Sequence, residues 1–217
     1  MIRMIPNTGM EKEITPVDHA NNPFRQRHGL GGDFVVGYSG NMGRVHDFAT
    51  MLAVAEQLKE MGEDSILFLL IGEGPGEPLL RREVRERGLA NVRFLPSQPL
   101  GDLSESLAAA DLHLVSMREG MSGLVVPSKF YGVMAAERPC LFIGPPESEI
   151  AHMIREHGSG TVIQNGDSGA LLAAILSYRT SPQKCVEEGK NGRLSLLKGD
   201  ARGLFVSVAS EVIKVTK

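Results

Sequence analysis

Short apolar runs recur along the chain, each followed by a longer stretch in which apolar residues return every three or four positions. The runs Phe34 to Tyr38, Ser65 to Ile71, Val92 to Leu95, Asp111 to Ser116, Cys140 to Ile143 and Gly160 to Ile163 predict strands. The stretches His46 to Met61, Pro78 to Arg87, Leu103 to Ala110, Pro127 to Ala136, Ser148 to His157 and Ser168 to Tyr178 predict helices. Most of the strands are apolar at consecutive positions, so both their faces are covered, as in parallel sheets flanked by helices. The alternation predicts an α/β fold, a doubly wound, Rossmann-like parallel sheet of about six strands with helices on both faces.

The two ends depart from this pattern. Met1 to Asn7 reads as the end of a strand without a helix of its own, and the polar stretch from Thr8 reads as a linker. Residues 1–31 are therefore expected to be the end of a preceding domain plus a linker, and residues 32–198 the α/β domain. Residues 199–217 read as a final helix whose stripe of Leu204, Phe205, Val208, Val212 and Ile213 would dock on a preceding domain absent from this chain.

Composition narrows the function. At 217 residues, with 42% hydrophobic and 23% charged residues, the chain can bury a full core. Its net charge is -3 and its basic residues are scattered, which argues against a nucleic-acid partner. No run is long enough to span a bilayer and no secretion signal opens the chain, so a cytoplasmic protein is expected. Cys140 and Cys185 form no C-x-x-C, His152 and His157 do not share a helical face, and no Asp-x-Asp occurs, so no metal site and no cofactor are expected.

In an open parallel sheet, ligands bind outside the carboxyl ends of the strands. After the first strand, Ser39-Gly40-Asn41-Met42-Gly43-Arg44 combines glycines that permit close backbone approach with a cation for phosphate. The glycines Gly37, Gly40 and Gly43 do not make G-x-G-x-x-G, and Glu73 stands too far on to be a ribose-binding acid, which argues against NAD. Ile71-Gly72-Glu73-Gly74 follows the second strand, and the third ends in Arg93-Phe94-Leu95. After the fourth, Glu119-Gly120-Met121-Ser122-Gly123 feeds a helix beginning near Pro127-Ser128-Lys129. A lysine in a first helical turn is disfavoured by the helix dipole unless an anion sits there, so Lys129 points to bound phosphate.

At these residues the chain resembles the carboxy-terminal, donor-binding half of a group 1 retaining glycosyltransferase of the GT-B fold, of the kind that builds bacterial surface polysaccharides. The resemblance is carried by Ser39-Gly40-Asn41-Met42-Gly43, Ile71-Gly72-Glu73-Gly74, Asn91 to Leu95, Val126-Pro127-Ser128-Lys129, Met134 to Pro139, Ser148 to Ala151 and Gly189 to Arg193, in that order. It implies an NDP-sugar donor, commonly a UDP-sugar, transferred with retention and without a required metal to a polysaccharide or lipid-linked acceptor. It assigns charge stabilisation of the leaving diphosphate, the catalytic role, to Arg44 and Lys129. Donor binding falls to Gly40, Asn41, Gly43, Gly72, Glu73, Phe94, Leu95, Glu119, Gly120, Ser122, Gly123, Pro127, Ser128 and Gly132. Gly132 stands where many relatives carry a ribose-binding glutamate, and Glu137 where glycine is usual. The implied partner is an amino-terminal acceptor domain, in cis or as a subunit, with an acceptor lipid at the inner membrane face. The resemblance also implies that the fragment is inactive alone. A nucleotide-binding module without catalysis and a GT-B epimerase are the alternatives.

Overall fold

The computed structural model describes residues 14–43, 45–121 and 129–198. Six strands, β1 (Phe34–Ser39), β2 (Ile66–Ile71), β3 (Val92–Leu95), β4 (Leu112–Ser116), β5 (Cys140–Ile143) and β6 (Gly160–Ile163), form one sheet in the order β3-β2-β1-β4-β5-β6. Every pairing is parallel. The strands fall where the apolar runs place them, and the chain reverses its direction of winding between β1 and β4.

The helices are α1 (Pro23–Arg27), α2 (Ala49–Glu60), α3 (Glu77–Glu86), α4 (Leu103–Ala108), α5 (Lys129–Ala135), α6 (Glu149–His157), α7 (Ser168–Thr180) and α8 (Pro182–Lys198). Alternate strand residues serve two layers. Val36, Tyr38, Phe68, Leu70 and Leu114 pack with Leu52 and Leu58 of α2, Leu80 of α3 and Ile175 of α7. On the other face Val115 and Phe142 meet Phe130 and Met134 of α5, Ile154 of α6 and Leu196 of α8.

Three local features differ from the sequence reading. Helix α2 starts later than His46 because the Asp47 carboxylate accepts from the N–H groups of Ala49 (2.9 Å) and Thr50 (3.4 Å), ending the preceding turn. Within the stretch read as a linker, Asn22 caps α1 by accepting from Phe24 N (2.9 Å), and Phe24 and Leu30 are fully buried against Val35 and Leu67. Helix α8 has no counterpart among the predicted elements, because Gly189 and Gly192 interrupt its apolar period. Those glycines let it lie close: a Cβ on Gly189 would fall 2.2 Å from the Glu137 carbonyl oxygen, and one on Gly192 3.3 Å from Ser159. Met1 to Asn7 and the helix read over residues 199–217 lie outside the described residues.

Glu137, which stands where the resemblance expects glycine, adopts a left-handed conformation with φ 54°. It also has a partner, since its Oε1 lies 3.4 Å from Arg193 Nε of α8 while the Arg193 guanidinium donates to the Ala135 carbonyl. Glycine relieves ~1 kcal/mol of backbone strain there, but removes an ion pair worth ~0 to 1 kcal/mol and loosens the unfolded chain. Glu137→Gly is therefore expected to move the urea midpoint of unfolding by the equivalent of less than about 0.5 kcal/mol. A clear gain in stability would show that the Arg193 contact contributes nothing.

Candidate functional site

The crevice lies at the carboxyl edge of the sheet, where the strand order reverses and ligands of doubly wound sheets bind. Its floor is a set of backbone bonds tying successive loops together. Gly40 N donates to Ile71 O (2.8 Å), Met42 N to Glu73 O (2.8 Å), Gly76 N to Met42 O (2.8 Å) and Gly72 N to Leu95 O (3.0 Å). Gly72, at φ 132°, is pressed so closely on the first loop that a Cβ would lie 2.2 Å from Gly40 O.

Lys129 arrives from α5 in the opposite layer, and its stem crosses Gly40, where a Cβ would lie 2.4 Å from Lys129 Cε. Its ammonium donates to the Tyr38 hydroxyl, to Asn41 O (2.9 Å) and to His46 Nε2 (2.8 Å), and stands 4.4 Å from the Tyr38 ring centroid. The Tyr38 hydroxyl in turn donates to Asn41 O (2.7 Å). Burial pushes the Lys129 ammonium down to about 7. Burial and then the Lys129 charge hold His46 below its usual range, against the pull of the Ser116 carbonyl. Burial raises the Tyr38 hydroxyl. The result is a low-dielectric corner in which a cation is held by neutral groups and into which an anion would be drawn.

The walls are braced from both sides. Arg118, just beyond β4, donates through Nε to His46 O (3.0 Å) and through its backbone N–H to Val45 O (2.9 Å). Asn165, after β6, donates through Nδ2 to Asp47 Oδ2 (3.0 Å) and to Met117 O (3.0 Å), while Gly166 N donates to Thr50 Oγ1 (2.9 Å). Burial alone would raise the Asp47 carboxyl; the hydrogen bonds from Asn165 and Thr50 outweigh it and leave the group below its ordinary value.

Of the residues the sequence reading selects, Gly40, Asn41, Gly43, Gly72, Glu73 and Lys129 are brought together here, and Leu95 joins them through its carbonyl. Glu119 and Gly120 lie exposed beyond β4. The Phe94 ring faces α3, with the Arg81 guanidinium 4.3 Å from its centroid. Gly132 lies beside α4, where a Cβ would meet Leu107 at 3.5 Å and Ile14 at 3.8 Å. Arg44, Ser122, Gly123, Pro127 and Ser128 lie outside the described residues. The sequence reading does not select Tyr38, His46 or Asn165. Tyr38 and His46 bracket the glycine loop, which is the one signal that pointed to them.

A cavity of about 680 Å³ opens at the opposite, amino edge of the sheet, lined by His19, Arg25, Asp33, Asp111 and Arg179 among others. Its cations serve the fold: Arg179 pairs with Glu63 (3.0 Å) and Arg25 with Asp111 (3.6 Å). Size alone does not make it the site. Among the described residues no helix is long and apolar enough to cross a membrane.

A family model described as glycosyl transferases group 1 matches residues 21–195. The chain belongs to the group 1 glycosyltransferases. The Pseudomonas aeruginosa protein named Probable glycosyltransferase WbjE is 33% identical over 171 residues, which make up 79% of this chain and 42% of that protein. This group 1 chain thus spans less than half the length of that relative. HepE of Anabaena, solved in complex with UDP-glucose, superposes with a TM-score of 0.68 at 19% identity, covering 89% of this chain and 52% of HepE. The C-terminal domain of a glycosyl transferase group 1 family protein, LpcC from Francisella tularensis, superposes with a TM-score of 0.66 at 14% identity, covering 87% of this chain and 96% of that domain. The fold is that of one Rossmann-like half of a GT-B glycosyltransferase.

Proposed function

We propose that this chain is the donor-binding half of a retaining glycosyltransferase that moves a sugar from a UDP-sugar to a polysaccharide or lipid-linked acceptor. The observation that carries the reading is Lys129 set over the Gly40 turn, on which Gly72 is pressed, at the switch point of a group 1 domain. The UDP-glucose bound by HepE, which shares the fold, supports the choice of donor. The glycine turns admit the diphosphate, and the loop after β3 receives the base. In transfer the bond from the anomeric carbon to the phosphate oxygen breaks, the diphosphate leaves with the electron pair, and the acceptor hydroxyl oxygen bonds to the same face as its proton passes to the departing phosphate oxygen. Lys129 and Arg44 stabilise the charge that develops on the departing phosphate, so no metal is required. Glu119 and Gly120 border the sugar.

An acceptor domain, in cis or as a separate subunit, completes the cleft. The fragment alone leaves the donor open to water and transfers nothing. The acceptor lipid sits at the inner membrane face, which makes the enzyme cytoplasmic and peripheral.

Calorimetry on the chain is expected to show weak UDP binding that a chelator leaves unchanged. Lys129→Ala and Arg44→Ala are each expected to weaken UDP binding by ~1.5 to 3 kcal/mol, the range for a hydrogen bond to a charged group, with little change for uridine. Binding of NAD but of no nucleoside diphosphate would refute the reading.

A further inference from the structure

One contact in the crevice is unusual, a lysine ammonium bonded to an imidazole. His46 Nδ1 lies 2.7 Å from the Ser116 carbonyl oxygen, which can only accept, so Nδ1 carries the hydrogen. In the neutral ring the Nε2 lone pair then faces Lys129 Nζ at 2.8 Å. The three ammonium hydrogens of Lys129 are spent on Tyr38, Asn41 and His46. A second proton, placed on Nε2, would leave two cationic donors facing each other with no acceptor between them.

The groups packed around His46 do not relieve that conflict. Arg118, from beyond β4, adds positive charge with Nε 3.0 Å from His46 O. Tyr38 of β1 offers a neutral hydroxyl raised by burial. Asp47, next in sequence, directs its carboxylate to Ala49, Thr50 and Asn165. This arrangement therefore favours the pair with no more than one excess proton, and the burial of both groups acts in the same direction. An anion placed between the two nitrogens supplies the missing acceptor.

We propose that the diphosphate of the donor enters this crevice together with a proton taken up by His46, which releases Lys129 to face the anion. Nε2 takes the proton from solvent, the bond from Nζ to Nε2 is lost, and both cations turn to phosphate oxygens. His46 is a positioning residue in this scheme, acting through Lys129. The inference rests on the nucleotide-sugar reading of the site, and it goes beyond that reading by linking affinity to pH.

UDP is the probe. At pH 7.5 its terminal phosphate, with a second ionisation near ~6, is almost wholly ionised before binding, so protons taken up on binding go to the protein. Calorimetry in buffers of different ionisation enthalpy is expected to show uptake of about one proton per UDP, at least halved in His46→Gln. Nitrogen NMR of the native chain is expected to show His46 neutral with hydrogen on Nδ1 when free and cationic when UDP is bound, a readout that holds even if the variant folds poorly. Binding of UDP with no proton uptake and a neutral His46, or equal uptake in folded His46→Gln, overturns this proposal alone. No binding of UDP to the native chain overturns the nucleotide-sugar reading as well.

Discussion

Arg25→Ala is expected to destabilise the domain by about 3 kcal/mol or more, the range for removing one partner of a buried ion pair. Arg25 is 6% exposed and comes from a helix of only five residues in a stretch that reads as polar linker. Its guanidinium donates to Ala109 O (2.6 Å), Leu30 O (2.5 Å) and Asp33 O (2.9 Å) and lies 3.6 Å from Asp111 Oδ2. That same carboxylate oxygen accepts from Val35 N (2.7 Å), at the start of β1. Truncation would leave buried carbonyls without donors and deprive the Asp111 carboxylate of its most buried cationic neighbour, beside the two central strands. Chemical denaturation of Arg25→Ala against the native chain measures the loss. A change below about 1 kcal/mol would mean that water replaces the guanidinium and that residues 14–33 dock without supporting the sheet.

Gly72→Ala is expected to cost about as much and to abolish UDP binding. The backbone conformation at φ 132° is one that side chains avoid, and the added Cβ would fall 2.2 Å from Gly40 O, a backbone atom fixed by the bond from Gly40 N to Ile71 O. Strain and clash add, and relief is possible only by parting the two loops that form the floor of the crevice. Gly62→Ala separates the two contributions. Gly62 has φ 70° with nothing within 4 Å of an added Cβ, so that variant is expected to lose only ~1 kcal/mol and to keep its UDP affinity. Equal losses in the two variants, with UDP binding retained in Gly72→Ala, would show that the close approach of the loops is unimportant.

The sheet was legible because its strands are short apolar runs set between helical periods, and each of the six begins and ends within about a residue of its run. Helix α8 was not, since Gly189 and Gly192 serve packing against Glu137 and Ser159 and erase the period that would have revealed it. Helix α1 is too short to show a period at all, and only Asn22 followed by Pro23 marks its start. Within the candidate site, Gly40, Gly72 and Lys129 could be chosen from turn chemistry and the helix dipole. Tyr38 and His46 could not, because their value comes from the strand order that sets β1 beside β4 and lets Lys129 reach across. Alternation along β3 places Phe94 on the α2 and α3 face, whereas Leu95 takes part through its backbone, which a motif does not distinguish.

A nucleoside diphosphate is expected to bind at the carboxyl edge of the sheet, over the loops after β1 and β2. Backbone amide NMR of the chain titrated with UDP locates it directly. The expected result is a set of shifts centred on Gly40, Asn41, Gly72 and Lys129, at the carboxyl edge between β1 and β4. Shifts confined to Asp33, Phe34, Asp111 and Arg179, around the cavity at the amino edge, would contradict it.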